Sequence, residues 1–130
     1  MILGQMVNIN KGDIVSVVGS GGKTSFINYY ANYYKNKFKV LLTTTTKIYI
    51  PKFGTYEYMY ITSNSKEYRV PTKNGITVCG KTISKQNKII GLDFKELDVI
   101  IPKFDITFIE SDGSKKKKIK GWNNTVTSSL

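Results

Sequence analysis

The sequence predicts an α/β fold, a three-layer domain on a mainly parallel sheet with a hairpin-rich middle. Two observations carry that prediction. Short, continuous apolar and β-branched runs recur at Ile14–Val18, Val40–Leu42 and Asp105–Ile109, the pattern of strands buried on both faces. Between the first two the period changes, and Phe26, Ile27, Tyr30, Ala31 and Tyr34 fall on one face of a helix.

Taken in order, Gly12-Asp13 supplies a turn before the first strand, IVSVV. The amphipathic segment from Thr24 should end near Asn36-Lys37, and Val40-Leu41-Leu42 follows as a second strand. Strand, helix and strand over about 30 residues form a βαβ unit with parallel strands. Pro51 and Gly54 then break regularity. Tyr56, Tyr58 and Tyr60 alternate with Glu57, Met59 and Ile61, a period of two. With strand candidates at Ile76–Cys79 and Lys88–Ile90 and a turn over Ser84–Asn87, residues 55–90 read as a hairpin-rich insertion. Phe94–Ile101 reads as a short helix ended by Pro102, and DITFI as a third core strand.

Residues 1–122 are thus expected to form one domain, and Asn123–Leu130 a frayed polar tail. Only three strands have continuous apolar character. A parallel sheet of that size leaves an edge unpaired, so marginal stability or self-association is expected.

Composition narrows the chemistry. The chain has 130 residues, a size that suits one domain with a real core. It has no histidine, which excludes Ser-His-Asp and Cys-His catalysis. The lone cysteine, Cys79, cannot form an internal disulfide and reads as a small core residue. Met1–Ile9 lacks the charged and apolar regions of a signal peptide, and no apolar run reaches the roughly 18 residues of a membrane helix. A cytoplasmic protein is expected, with no membrane partner. The net charge of +11 comes from 19 Lys and one Arg, Arg69. Nucleic-acid readers lean on arginine, so the lysine excess reads first as compositional bias, with a basic RNA- or polyanion-binding module as the alternative. The run Lys115–Lys118 has the same two readings, a solvated charge run or a grip on an acidic partner.

The chemistry centres on Gly19-Ser20-Gly21-Gly22-Lys23-Thr24-Ser25, placed between the first strand and the helix. Glycines let backbone N–H groups turn toward a phosphate, and the N-terminus of the following helix adds positive potential. Lys23 supplies a full charge for the β- and γ-phosphates, and the Thr24 hydroxyl a ligand for Mg²⁺. The common P-loop pattern has Gly six residues before the Lys, and here that position is Val17. The first Gly stands four before it, as in Mur-ligase-type ATPases. The fold expected on this ground is P-loop NTPase-like, binding ATP or GTP with Mg²⁺.

Glu110 and Asp112 follow the DITFI strand, where a carboxylate could hold Mg²⁺ through water or orient an attacking water. A turn-capping carboxylate is the other reading. Thr43, Thr44, Thr45 and Thr46 follow the second strand, at the sheet end where ligands gather, with Lys47 as an anion contact. An ordinary strand end would look the same.

Together VVGSGGKTS, TTTTK and ESDGSK resemble one family, the selenium-dependent hydroxylase accessory (selenium cofactor biosynthesis, YqeC) proteins. Order and spacing agree from about residue 12 to residue 122. The resemblance implies a P-loop protein acting in the maturation of selenium-dependent molybdenum hydroxylases. Its implied partners are such a hydroxylase or its cofactor-maturation proteins. It also implies that Gly19, Gly21, Gly22, Lys23 and Thr24 bind phosphates, while Thr43–Lys47, Glu110 and Asp112 line the site. Two departures stand out. Lys118 replaces the family's Pro, and the chain stops at Leu130, short of the family's usual length. A third functional reading is a small-molecule kinase using the same loop.

Overall fold

The structure, a computed structural model, describes residues 8–111 and the strand Asn124–Ser129. It is a mixed α/β fold with a six-stranded parallel sheet and a separate three-stranded antiparallel sheet. The strands of the large sheet are β1 (Ile14–Gly21), β2 (Lys39–Thr44), β4 (Tyr58–Ile61), β5 (Gly75–Gly80), β8 (Ile106–Glu110) and β9 (Asn124–Ser129). Their order is β4-β5-β2-β8-β1-β9. The small sheet joins β3 (Lys47–Tyr49), β7 (Lys88–Ile90) and β6 (Thr82–Ile83) in that order.

The three apolar runs legible in the sequence are the neighbours β2, β8 and β1 at the centre of the sheet. Side chains along a strand alternate between its faces, so each strand feeds two cores. Val15, Val17, Val40, Leu42, Ile106 and Phe108 pack on one face, beneath helix α1 (Lys23–Tyr34). Ile14, Leu41 and Ile109 pack on the other with Leu97 and Ile100 of helix α2 (Phe94–Ile100). Helix, sheet and helix make three layers. Helix α1 buries Ile27, Tyr30 and Ala31 and ends at Tyr34, just before the expected Asn36. Helix α2 opens on a capping box, with Asp93 and Glu96 each accepting the other's backbone N–H. Pro102 then lies in a 3₁₀ turn, Ile101–Lys103.

The middle of the chain departs from the hairpin-rich expectation. Strand β4 pairs in parallel with β5, and β5 in parallel with β2. Only β6 and β7 form an antiparallel hairpin there, around a turn in which Asn87 takes a positive φ of 59°. The period of two at the tyrosines misled because both faces of β4 are covered. Met59 and Ile61 pack on one core, and Tyr60 packs on the other, edge-to-face with Tyr68. A tyrosine ring buries readily while its hydroxyl stays wet, so it imitates the polar half of an alternating pattern.

The expected frayed tail is also corrected. Asn124–Ser129 pairs in parallel with β1, with Val15 opposite Asn124 and Val18 opposite Thr127. An edge strand needs backbone partners on one side only, so Thr and Val with strand preference suffice without an apolar run. The count of three core strands is therefore replaced by six, with β4 and β9 at the edges of the sheet. Cys79 is buried in β5, as expected.

Candidate functional site

In a parallel sheet the carboxyl ends of adjacent strands open on one side. Here β1 ends at Gly21, β2 at Thr44 and β8 at Glu110. The register sets Val17 and Thr44 on either side of Glu110. The last residues of β1 turn directly into α1. Gly22 holds φ at +75°, a left-handed conformation that glycine adopts without Cβ strain. No side chain caps the start of this helix, which leaves its first N–H groups available to a ligand.

Two side chains of the first helical turn reach back to the end of β8. Lys23 Nζ donates to the Ser111 carbonyl at 3.4 Å. Thr24 Oγ1 donates to Glu110 Oε1 at 3.4 Å. Below them the Ser16 and Ser111 hydroxyls lie 3.3 Å apart in a buried contact, and Ser111 N donates to the Val17 carbonyl. The glycine loop and the acidic strand end are therefore one unit. Burial raises the Glu110 carboxyl above its ordinary value, while Lys23 and the Thr24 hydrogen bond pull it back down.

A cavity of about 290 Å³ opens above this unit, lined by Gly21 to Ser25, by Glu110, and by Lys47, Ile48, Tyr49 and Lys88 of the small sheet. A second, of about 360 Å³, shares Thr24, Ile48, Tyr49 and Glu110 with it. Its walls are more apolar, with Ile27, Leu42, Ile50 and Pro51.

The TTTTK segment divides its labour. Thr43 lines the second cavity and donates to the Cys79 carbonyl at 2.8 Å. Thr44 donates to the Glu110 carbonyl at 2.8 Å and accepts from Thr46 N at 3.0 Å, so it braces the end of β8. The Thr45 hydroxyl is buried with no hydrogen-bond partner among the described residues. Lys47 faces the first cavity. Gly19 and Ser20 belong to β1, whereas Asp112 and Lys115–Lys118 lie outside the described residues.

Two participants had no motif to announce them. Lys88 reaches the first cavity from β7. Gly91 passes so close to the TTTTK segment that a Cβ there would overlap the Thr44 carbonyl. Gly91 N donates to the Thr46 carbonyl at 2.8 Å and Leu92 N to the Thr44 carbonyl at 3.1 Å. A glycine directly after a strand was the available signal for such a close approach.

Among the described residues no group of three or more Asp, Glu or Cys side chains could by itself hold a metal. The oxygen pair Thr24 and Glu110 suits a hard cation such as Mg²⁺, which keeps several waters and shares its remaining ligands with phosphates. No helix among the described residues is long and apolar enough to cross a membrane.

The fold and site define a mixed α/β protein whose lysine-bearing glycine loop faces a carboxylate across two parallel strands. The chain belongs to the YqeC protein family, whose sequence model matches residues 15–125. It is 28% identical over 111 residues to the "Uncharacterized protein YqeC" of Escherichia coli (strain K12). That match covers 82% of this chain and 43% of the relative, so the chain spans less than half the length of the relative it matches. No solved structure matches.

Proposed function

We propose that this chain is a P-loop NTPase-like domain that binds ATP or GTP with Mg²⁺. The observation that carries the reading is the convergence of Lys23 and Thr24, at an uncapped helix start, on Ser111 and Glu110 at the end of the adjacent parallel strand. Backbone N–H groups around Gly21 and Gly22 and the Lys23 ammonium would hold the phosphates. Thr24 and Glu110 would hold the cation, directly or through water, and Mg²⁺ would neutralise charge on the phosphate oxygens. In the cell this binding would serve the maturation of selenium-dependent molybdenum hydroxylases. That role rests on family membership and on the resemblance carried by VVGSGGKTS, TTTTK and ESDGSK.

The deciding experiment is a calorimetric titration with ATP and with GTP, each with and without Mg²⁺, on the parent chain and on Lys23→Ala. Equal affinities for parent and variant would remove the assignment. A second reading, small-molecule phosphoryl transfer, is favoured by the second cavity, because Thr24 and Glu110 face both spaces. An acceptor in the more apolar cavity would then lie beside the terminal phosphate. Nucleotide consumption that rises on addition of an acceptor, with a phosphorylated product, would select this reading over hydrolysis.

A further inference from the structure

The cavity at the glycine loop has a second wall that the phosphate-loop motif does not supply. Strands β3 and β7 bring Lys47, Ile48, Tyr49 and Lys88 to it. Their antiparallel register sets Tyr49 opposite Lys88. The Lys88 ammonium stands 4.6 Å from the centroid of the Tyr49 ring, a cation–π arrangement that restricts where the charge can go. The wall is anchored, because Ile89 is fully buried in the core beneath α1 and Ile48 packs against the same core.

The charges in this space do not balance. Its lining carries three ammonium groups, on Lys23, Lys47 and Lys88, against one carboxylate, Glu110. That leaves two formal positive charges. Glu110 is engaged with Lys23 and Thr24 on the loop side. Neither Lys47 nor Lys88 forms an ion pair among the described residues. Two like charges on one wall of a concave site raise the local potential and attract a polyanion.

We propose that the small sheet is a second anion-binding wall, in which Lys88, placed by Tyr49 and helped by Lys47, contacts the distal phosphates of a ligand whose first phosphate rests on the glycine loop. The ligand class is a linear polyphosphate or its ester, of three phosphates in preference to one. This inference rests on the reading of the glycine loop as a phosphate site.

The test is direct binding of inorganic tripolyphosphate and of orthophosphate to the parent chain, Lys88→Gln, Lys88→Arg, Tyr49→Phe, Tyr49→Leu and Lys23→Ala. Loss of a charge-assisted contact should weaken tripolyphosphate binding by Lys88→Gln about tenfold or more. Orthophosphate binding by the same variant should hardly change. Lys88→Arg keeps the charge and should bind tripolyphosphate within a few-fold of the parent. Tyr49→Phe should behave as the parent and Tyr49→Leu should weaken tripolyphosphate alone. Unchanged tripolyphosphate affinity in Lys88→Gln, with a clear loss in Lys23→Ala, would overturn the second wall and leave the loop reading standing. Unchanged affinity in both would overturn the loop reading and this inference with it. Equal loss in Lys88→Gln and Lys88→Arg would show that Lys88 is structural and overturn its role.

Discussion

Thr24 Oγ1 and Glu110 Oε1 lie 3.4 Å apart although 86 residues separate them in the chain. The contact exists because β1 and β8 are parallel neighbours whose carboxyl ends open together, and because α1 starts immediately beyond β1. A hydroxyl and a carboxylate at that junction can share a cation or a proton.

Lys23→Ala should weaken binding of ATP or GTP by at least about tenfold, as expected for loss of a charge-assisted hydrogen bond. Its ammonium makes one long hydrogen bond, to the Ser111 carbonyl at 3.4 Å, beside its attraction to the Glu110 carboxylate, so the fold should persist. Titration calorimetry measures the first effect and a thermal melt the second.

Glu110 sets a pH dependence. Its carboxyl titrates above the ordinary value of 4.5, chiefly because burial disfavours the charged form. In the proposed site Mg²⁺ would be held by the carboxylate, so Mg²⁺-dependent nucleotide binding should fall as pH is lowered through that raised value. Glu110→Gln should lose the Mg²⁺ dependence and this pH response together. The fold responds with the opposite sign. A raised native value means that the folded state holds the proton more tightly than the unfolded chain. The stabilisation is complete below the ordinary value and is lost as pH rises through the raised one. Glu110→Gln should therefore remove a decline in stability between those two values. A Mg²⁺-binding profile that follows an unshifted glutamate would contradict the prediction.

Adjacent threonines should respond oppositely to the same change. Thr44→Val removes the bonds to the Glu110 carbonyl and from Thr46 N, leaving the part-buried Thr46 N without this acceptor, at a cost of about 1–3 kcal/mol. Thr45→Val removes a buried hydroxyl with no described partner, at nearly the same volume. Its stability should be unchanged or higher by up to about 1 kcal/mol. Urea midpoints for the two variants make the comparison, and equal losses would show that the Thr45 hydroxyl is bonded in solution.

These threonines also mark how far the sequence could be read. The glycine loop, the two strands that flank its helix and the strand ending in Glu110 were legible because burial on both faces leaves continuous apolar runs. The division of labour within TTTTK was not, because four identical residues carry no signal of which hydroxyl braces and which faces a cavity. Strand β9 was missed because an edge strand can be built from Asn, Thr and Ser on backbone hydrogen bonds. Lys88 was missed because its role arises from the pairing of β7 with β3, a contact that no local spacing encodes.

Gly91→Ala should destabilise the fold by at least about 1–3 kcal/mol, the usual cost of forcing extra volume into a packed site. The added methyl would overlap the backbone of Thr44 and Thr45, which cannot rotate away as a side chain could. Because that backbone carries the bond from Thr45 N to the Glu110 carbonyl, nucleotide affinity should fall along with stability. A variant of parental stability would show that the crossing of residues 90–92 over the threonine segment is looser than described.

Cys79 gives a test of the sheet that is independent of any ligand. It sits in β5 with a relative exposure of 1%, between β4 and β2, and its carbonyl accepts the Thr43 hydroxyl. Burial pushes its thiol up from 9.0 to about 12. The thiolate is the reactive form, so at pH 8 this shift alone lowers its population about a thousandfold. A disulfide reagent at pH 8 should therefore leave the folded chain almost unlabelled and modify one thiol quickly once urea has unfolded it. Because only opening of the sheet exposes the thiol, the labelling rate should rise with urea in step with the unfolded population. If β5 were instead an exposed strand, Cys79 would label at the rate of a free thiol without denaturant. That outcome would contradict its place inside the parallel sheet.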